Sequence, residues 1–268
     1  VVPCMTRVEI FYVIIIDNLA KWFSTAGGAR HEALRNINLE IGAGEFVSII
    51  GPSGCGKSTL LYIVGGFERA TEGAVRIHGK PITGPGRDRG PVFQEFALFA
   101  WKTVLENVAY GLRLQGKTKQ EAEDRARGFL KMVGLERFAG FYPKELSGGM
   151  KQRVAIARTL AYGPEILLMD EPFGALDART RNHLQRDLLK IWEEDRKTVL
   201  FVTHSVEEAV FLSDRVVVMG TGPGHIAKVI PIELERPRNR SELMMDLKYQ
   251  GYIAEIEGMI DAVEASAA

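Results

Sequence analysis

Apolar residues fall along this chain in short unbroken runs rather than in long stripes. Residues 46–50, 166–169, 199–202 and 216–219 are dominated by Val, Ile, Leu, Phe and Met, the composition of strands buried on both faces, as in a parallel sheet. Helical periodicity lies between them. In residues 118–133, Ala122, Ala126, Phe129, Leu130 and Val133 share one face, Thr118 and Glu121 have capping-box spacing, and Gly134 can end the helix. A second helix is predicted to start at Ser205, with Glu208 in the same relation. Val75 and Ile77 alternate with polar neighbours before Gly79, which predicts an exposed-edge strand and a turn. With residues 8–16 and 34–41 this strand is expected to form an antiparallel layer. After Pro231 the chain becomes charged and loop-like through residues 235–240, then closes with a modest helical pattern over residues 249–260.

The 268 residues, 46% hydrophobic and 25% charged, have the profile of a globular protein with a real core. Basic and acidic residues balance at 34 each, so no whole-chain field draws the protein to nucleic acid or anionic lipid. Cys4 and Cys55 are the two cysteines and lie far apart, which argues against a disulfide framework and for a reducing compartment. The most apolar stretch, residues 10–16, is far short of the roughly 20 residues that a spanning helix needs. The opening residues carry no basic region ahead of an apolar core, so no signal peptide is expected.

Candidate chemistry begins directly after the first buried run. Gly51-Pro52-Ser53-Gly54-Cys55-Gly56-Lys57-Ser58, followed by Thr59, matches the phosphate-binding P-loop at every required position. Glycines let successive backbone N–H groups turn toward an anion, and a helix starting near Lys57 adds the positive end of its dipole. A chance glycine-rich turn explains the glycines but not Lys57 and Ser58 in these places. Lys57 is expected to reach the β- and γ-phosphates of a nucleotide, and Ser58 to ligate Mg²⁺. The run at 166–169 ends in Asp170-Glu171, at the strand end where α/β sheets hold ligands. Asp170 is expected to hold the metal through water, and Glu171 to polarise the attacking water. Taken alone, an acidic pair after a strand is as readily a solvated loop.

The next motif narrows the class. Leu146-Ser147-Gly148-Gly149-Met150-Lys151-Gln152-Arg153 opens a predicted helix carrying Val154, Ala157, Leu160 and Ala161 on one side. Here the chain closely resembles the ABC ATPase family, over roughly residues 14–237. The resemblance implies an α/β P-loop NTPase fold, a RecA-like mostly parallel sheet core with an antiparallel β subdomain and a helical subdomain. It places the nucleotide-binding domain at residues 8–236, the helical subdomain at about 95–160, and a tail with a short helix at 237–268. It also implies that two copies sandwich ATP, with Ser147, Gly148 and Gly149 of one facing the γ-phosphate held by the other. Further residues match family positions in order: Phe23 as the aromatic stacking on adenine, with Trp22 as its rival; Gln94 contacting Mg²⁺ and water; Asp177 crossing the dimer; and His204 as the switch histidine that senses the γ-phosphate. His31, His78, His183 and His225 lack a strand-end context and read as structural. Met150 stands where many relatives have Gln, a variation outside the residues that touch phosphate.

Phe96, Leu98, Phe99 and Trp101 crowd the segment after Gln94. The resemblance implies that this region docks multispan permease subunits, while the plainer reading closes the lobe's own core. Residues 51–61, 93–101 and 235–238 look like those of the nitrate, sulfonate and taurine importer ATPases. The implied function is ATP hydrolysis that energises uptake of a small anionic solute, at the cytoplasmic face of the membrane and with a solute-binding protein in the complex. An exporter cassette, or a soluble ABC ATPase acting on nucleic acid or ribosomes, is the alternative; no basic block favours the latter. Cys55, beside the phosphate cradle, is expected to be a point of attack for thiol reagents.

Overall fold

The computed structural model describes residues 12–24, 28 and 30–267. Cys4 and residues 8–11 of the predicted first strand lie outside them.

A six-stranded sheet forms the centre. Its members in chain order are β3 (Phe46–Ile50), β6 (Arg89–Val92), β7 (Ile166–Asp170), β8 (Thr198–Val202), β9 (Arg215–Gly220) and β10 (His225–Pro231). Across the sheet they stand in the order β10-β9-β3-β8-β7-β6. All adjacent pairs are parallel except β10 with β9, which are antiparallel. Every residue of β3, β7 and β8 is buried, which is why their sequences run apolar without alternation. Inside, Phe46 meets Trp192 and Phe201, each with centroids 5.8 Å apart, and Phe201 meets Phe173 at the same separation. Each such ring contributes about 1.5–3 kcal/mol by leaving water.

A four-stranded antiparallel sheet covers one flank, in the order β2-β1-β4-β5. Its strands are β1 (Tyr12–Ser24), β2 (Arg30–Gly42), β4 (Glu72–Ile77) and β5 (Lys80–Pro81). The predicted edge strand, β4, is an inner one: it pairs with β1 on one side and with the two residues of β5 on the other. Gly79 turns the chain back at once, with φ of 73°, and Pro81 ends the pairing early.

Between the sheets runs α1 (Lys57–Gly65). A helical lobe comprises α2 (Val104–Leu114), α3 (Lys119–Met132) and α4 (Gly148–Tyr162). Thr103 and Thr118 each close a full capping box, at the start of α2 and α3. After the lobe come α5 (Ala178–Asp195), α6 (Val206–Leu212), α7 (Arg240–Leu243) and α8 (Leu247–Ala267). The last is longer than the pattern predicts and packs on α6 and β9. At the start of α6 the expected box is half made. Ser205 accepts from the Glu208 amide, but the Glu208 carboxylate turns inward to Thr203 and Gln185 instead of back to Ser205.

Candidate functional site

Strand order explains why distant residues meet. β3, β8, β7 and β6 are parallel neighbours, so the segments leaving their carboxyl ends emerge along one edge of the sheet. That edge is where open α/β sheets bind ligands. It carries the loop at 51–56, then His204, then Asp170-Glu171, then Gln94.

The loop is shaped by close backbone approach. A Cβ on Gly51 would sit 2.4 Å from the Met219 carbonyl oxygen, and one on Gly56 would meet Leu34 Cδ2 at 2.5 Å. Gly56 has φ of 93° and caps α1 without a side chain, so the first N–H groups of the helix face outward unclaimed by a capping side chain, a ready anion site. Lys57 is buried, its Nζ donating to the carbonyls of Gly51 and Pro52 at 2.8 Å each. The ammonium thereby sits inside the cradle. Cys55 is fully buried there as well, and burial pushes its thiol up. This corrects its expected reactivity: a buried, protonated thiol is a poor nucleophile.

Ser58 donates its hydroxyl to Asp170 Oδ1 at 3.0 Å, tying the loop's helix to the end of β7. Asp170 is 1% exposed, and burial pushes its carboxyl up against the opposing hydrogen bond of Ser58. Its Oδ2 is buried without a partner among the described residues. An orphaned carboxylate oxygen beside a hydroxyl is a hard-oxygen set that fits Mg²⁺, which takes few protein ligands and completes its shell with water and phosphate. Among the described residues no cluster of His, Cys, Asp and Glu offers a fuller metal cage. Tyr62, one turn after Ser58 on α1, also faces Asp170; burial and that charge push its phenol up to about 12. Sequence reading passed over it, although the i,i+4 spacing from Ser58 puts both on one helix face.

Glu171 has φ of 45°, an uncommon conformation for a non-glycine residue that costs of order 1 kcal/mol or more. Its carboxylate lies against Gln94 and His204. Its Oε2 accepts from Gln94 Nε2 at 3.4 Å and stands 3.3 Å from His204 Nδ1. The His204 side chain is otherwise open to solvent. Gln94 and His204, more than a hundred positions apart in the chain, thus converge on one carboxylate oxygen of Glu171 at the mouth of the cradle.

Other predicted residues stand apart from this group. Ser147 caps α4, accepting from the Met150 amide at 3.3 Å, and Ser147 and Gly148 are exposed. Gly149 packs under Ala175 and Leu176, which a Cβ would approach to 3.3 and 3.2 Å. Asp177 caps α5 through the Thr180 amide, a bond that holds its carboxyl low. Among the described residues no hydrogen bond joins Ser147, Gly148 or Gly149 to the loop at 51–59. Phe23 is exposed at the end of β1, with the Lys21 ammonium 4.6 Å from its ring centre, while Trp22 is partly buried.

Beyond Gln94 the chain enters the helical lobe. Arg158 of α4 donates to the carbonyls of Ala97 and Phe96. Leu98 joins the lobe's core, as the plainer reading of this cluster expected. Trp101 does not: it is 74% exposed and meets the Phe99 ring at a tilt, with centroids 5.7 Å apart, and Phe99 in turn meets Tyr110. Beside them lies a cavity of about 400 Å³ lined by Phe93, Ala97, Phe99, Tyr110 and Leu114.

Comparison with known proteins agrees with this geometry. The family model described as ABC transporter matches residues 34–174. The aliphatic sulfonates import ATP-binding protein of Bacillus thuringiensis subsp. konkukian is 50% identical over 85% of this chain and 89% of its own. The bicarbonate transport ATP-binding protein of Synechocystis sp. is 49% identical, over 88% and 84% respectively. A solved dimeric structure of a bacterial ABC transporter cassette superposes with a TM-score of 0.77 at 40% identity, covering 83% of this chain and all of that one.

Proposed function

From the premise that this chain belongs to the ABC transporter family, as an ATP-binding and ATP-hydrolysing cassette, we propose that it powers an importer of a small anionic solute, of the nitrate, sulfonate or taurine class. The observation that carries the catalytic part is the convergence of Gln94 and His204 on Glu171 beside the phosphate cradle. Backbone N–H groups of residues 51–58 and the helix N-terminus bind the phosphates, with Thr59 in the first turn, and Lys57 turns from its loop carbonyls to the phosphate oxygens. Phe23 stacks on the adenine. Glu171 takes the proton of the attacking water, Gln94 orients that water, and His204 contacts the γ-phosphate. Bound Mg²⁺ supplies positive charge to the β- and γ-phosphate oxygens; Ser58, Gln94 and, through water, Asp170 are the residues that would hold it.

Ser147 and Gly148 are exposed, and among the described residues no hydrogen bond joins them or Gly149 to the loop at 51–59 of their own copy. We assign them to the γ-phosphate of a second copy, with Asp177 at the seam between the two. Residues 8–236 are read as the nucleotide-binding unit, with its helical lobe at about 95–160, and residues 237–268 as a tail. We assign membrane attachment to partner subunits, as the names of the importer relatives support; among the described residues no helix is long and apolar enough to cross a membrane. The groove beside Phe96, Phe99 and Trp101 suits an apolar helix-in-groove contact with a multispan permease, at the cytoplasmic face. A solute-binding protein completes the proposed complex. The two relatives carry names with different solutes at nearly equal identity, which supports placing cargo choice in subunits other than this one.

Affinity purification from membranes tests the assignment. The expected result is a multispan subunit accompanying the chain, with a solute-binding protein in the same complex. Recovery of ribosomes or nucleic acid instead would overturn it.

A further inference from the structure

We propose that Glu208 is a positioning residue for hydrolysis: one buried carboxylate anchors the strand end that carries His204 and, through Arg181, the segment that leads to Asp177. The proposal rests on the reading of His204 and Asp177 given above.

The geometry is a closed polar network in an otherwise apolar region. Thr203, immediately before His204, donates its hydroxyl to Glu208 Oε2 at 2.6 Å. The same hydroxyl oxygen accepts from the amide of Ser205, immediately after His204, at 3.1 Å. Both chain neighbours of the histidine are therefore tied to a single group. Glu208 Oε1 accepts from Gln185 Nε2 of α5 at 3.0 Å, and Gln185 Oε1 in turn accepts from Arg240 of α7 at 2.6 Å. Arg181, also on α5, lies 3.7 Å from Glu208 Oε1 and donates to the Leu176 carbonyl at 3.0 Å. Leu176 directly precedes Asp177.

Stability alone does not account for this arrangement. Glu208 is 6% exposed, Thr203 1% and Gln185 0%. Burial pushes the Glu208 carboxyl up, against the hydrogen bond of Thr203 and the charge of Arg181. The same side chain had a less costly use at the surface, returning to the Ser205 amide to complete the capping box. Among the described residues the nearest cation to this carboxylate, Arg181, stands beyond hydrogen-bond distance; such a buried carboxylate is weak evidence for stability, and geometric definition is the attested use of such groups. What is defined here is the position of His204 relative to α5 and to residues 175–177. These are the parts that must hold register when a histidine and a dimer-crossing segment address one triphosphate. A misplacement of about 1 Å in such parts can lower turnover by up to about a hundredfold.

The test separates the anchor from its premise. Thr203→Val removes the hydroxyl at nearly constant shape. Its kcat for ATP is expected to fall about tenfold with KM changed less than about twofold, and Thr203→Ser to restore it. Arg181→Met, on the half-exposed arm of the network, is the second variant should Thr203→Val not fold, with a loss of kcat at unchanged KM expected. Wild-type kcat per folded molecule in either variant, or failure of Thr203→Ser to restore turnover, overturns the proposal. His204→Ala is measured beside them: if it hydrolyses ATP normally, the premise has failed, whereas an inactive His204→Ala with a normal Thr203→Val removes the anchor alone.

Discussion

His204 Nδ1 stands 3.3 Å from the Glu171 carboxylate oxygen that also accepts from Gln94. A base that already holds two polar neighbours at the mouth of a phosphate site is placed to act on a water that arrives with the nucleotide. Glu171→Gln keeps the shape of the site and removes the proton acceptor. Turnover is expected to fall by about 10² to 10⁴, the size of a general-base contribution, while ATP affinity measured with a fluorescent nucleotide stays within a few fold. Near-normal hydrolysis by this variant would remove Glu171 from the role.

Trp101 tests the docking surface, because its exposure frees it from duty in the core. Trp101→Ala is expected to lose co-purification with the membrane subunits while nucleotide binding is retained. Thermal stability should move by no more than about 0.5 kcal/mol, as for other surface changes. Undiminished co-purification contradicts the assignment.

Arg238 carries stability rather than chemistry. It is 7% exposed, and its guanidinium donates to the carbonyls of Val210, Phe211 and Ser213 at the end of α6, and to those of Ile232 and Leu234. Burial and the neighbouring Arg236 charge push its pKa down to about 10, which still leaves it charged at neutral pH. Arg238→Ala strands those carbonyls and is expected to cost about 2–4 kcal/mol in denaturant unfolding. ATP affinity per folded molecule should not change.

Cys55 offers a chemical check on the cradle. With its thiol buried and its pKa raised by burial, the thiolate fraction near pH 8 lies below that of an ordinary cysteine. Alkylation by iodoacetamide, read by peptide mass at this residue, should be slow in the native protein and at least about tenfold faster in denaturant. The native rate should climb as pH rises toward the thiol's own range. Equal rates in the two states would show the loop to be open.

The parallel core was legible because buried strands leave runs such as residues 199–202, and the loop at 51–58 because phosphate binding constrains every position of a short contiguous segment. Convergence on Glu171 was harder to see. It depends on the order β3-β8-β7-β6, which no local pattern encodes; the family resemblance points to Gln94 and His204, and the strand-end context adds weight for His204 alone. Alternation at Val75 and Ile77 predicts an edge strand where β4 is an inner one, since alternation reports one buried face and not the number of neighbours. The inward turn of Glu208 was invisible for a related reason. Its spacing from Ser205 is that of a capping box, and the competing partners, Thr203 and Gln185, come from the end of β8 and from α5. Tyr62 shows the opposite case, a signal present in the spacing from Ser58 that reads as ordinary helix until Asp170 is set beside it.

The proposed sandwich holds ATP between the cradle of one copy and the Ser147 tip of another. Light scattering on the Glu171→Gln protein, with and without saturating ATP, tests it directly, since that variant is expected to bind ATP without turning it over. The expected result is a monomer without nucleotide and a dimer with ATP, and a return to monomer when Ser147→Arg is added to block the tip. A Glu171→Gln protein that binds ATP fully and stays monomeric, or a dimer indifferent to Ser147→Arg, would contradict the sandwich.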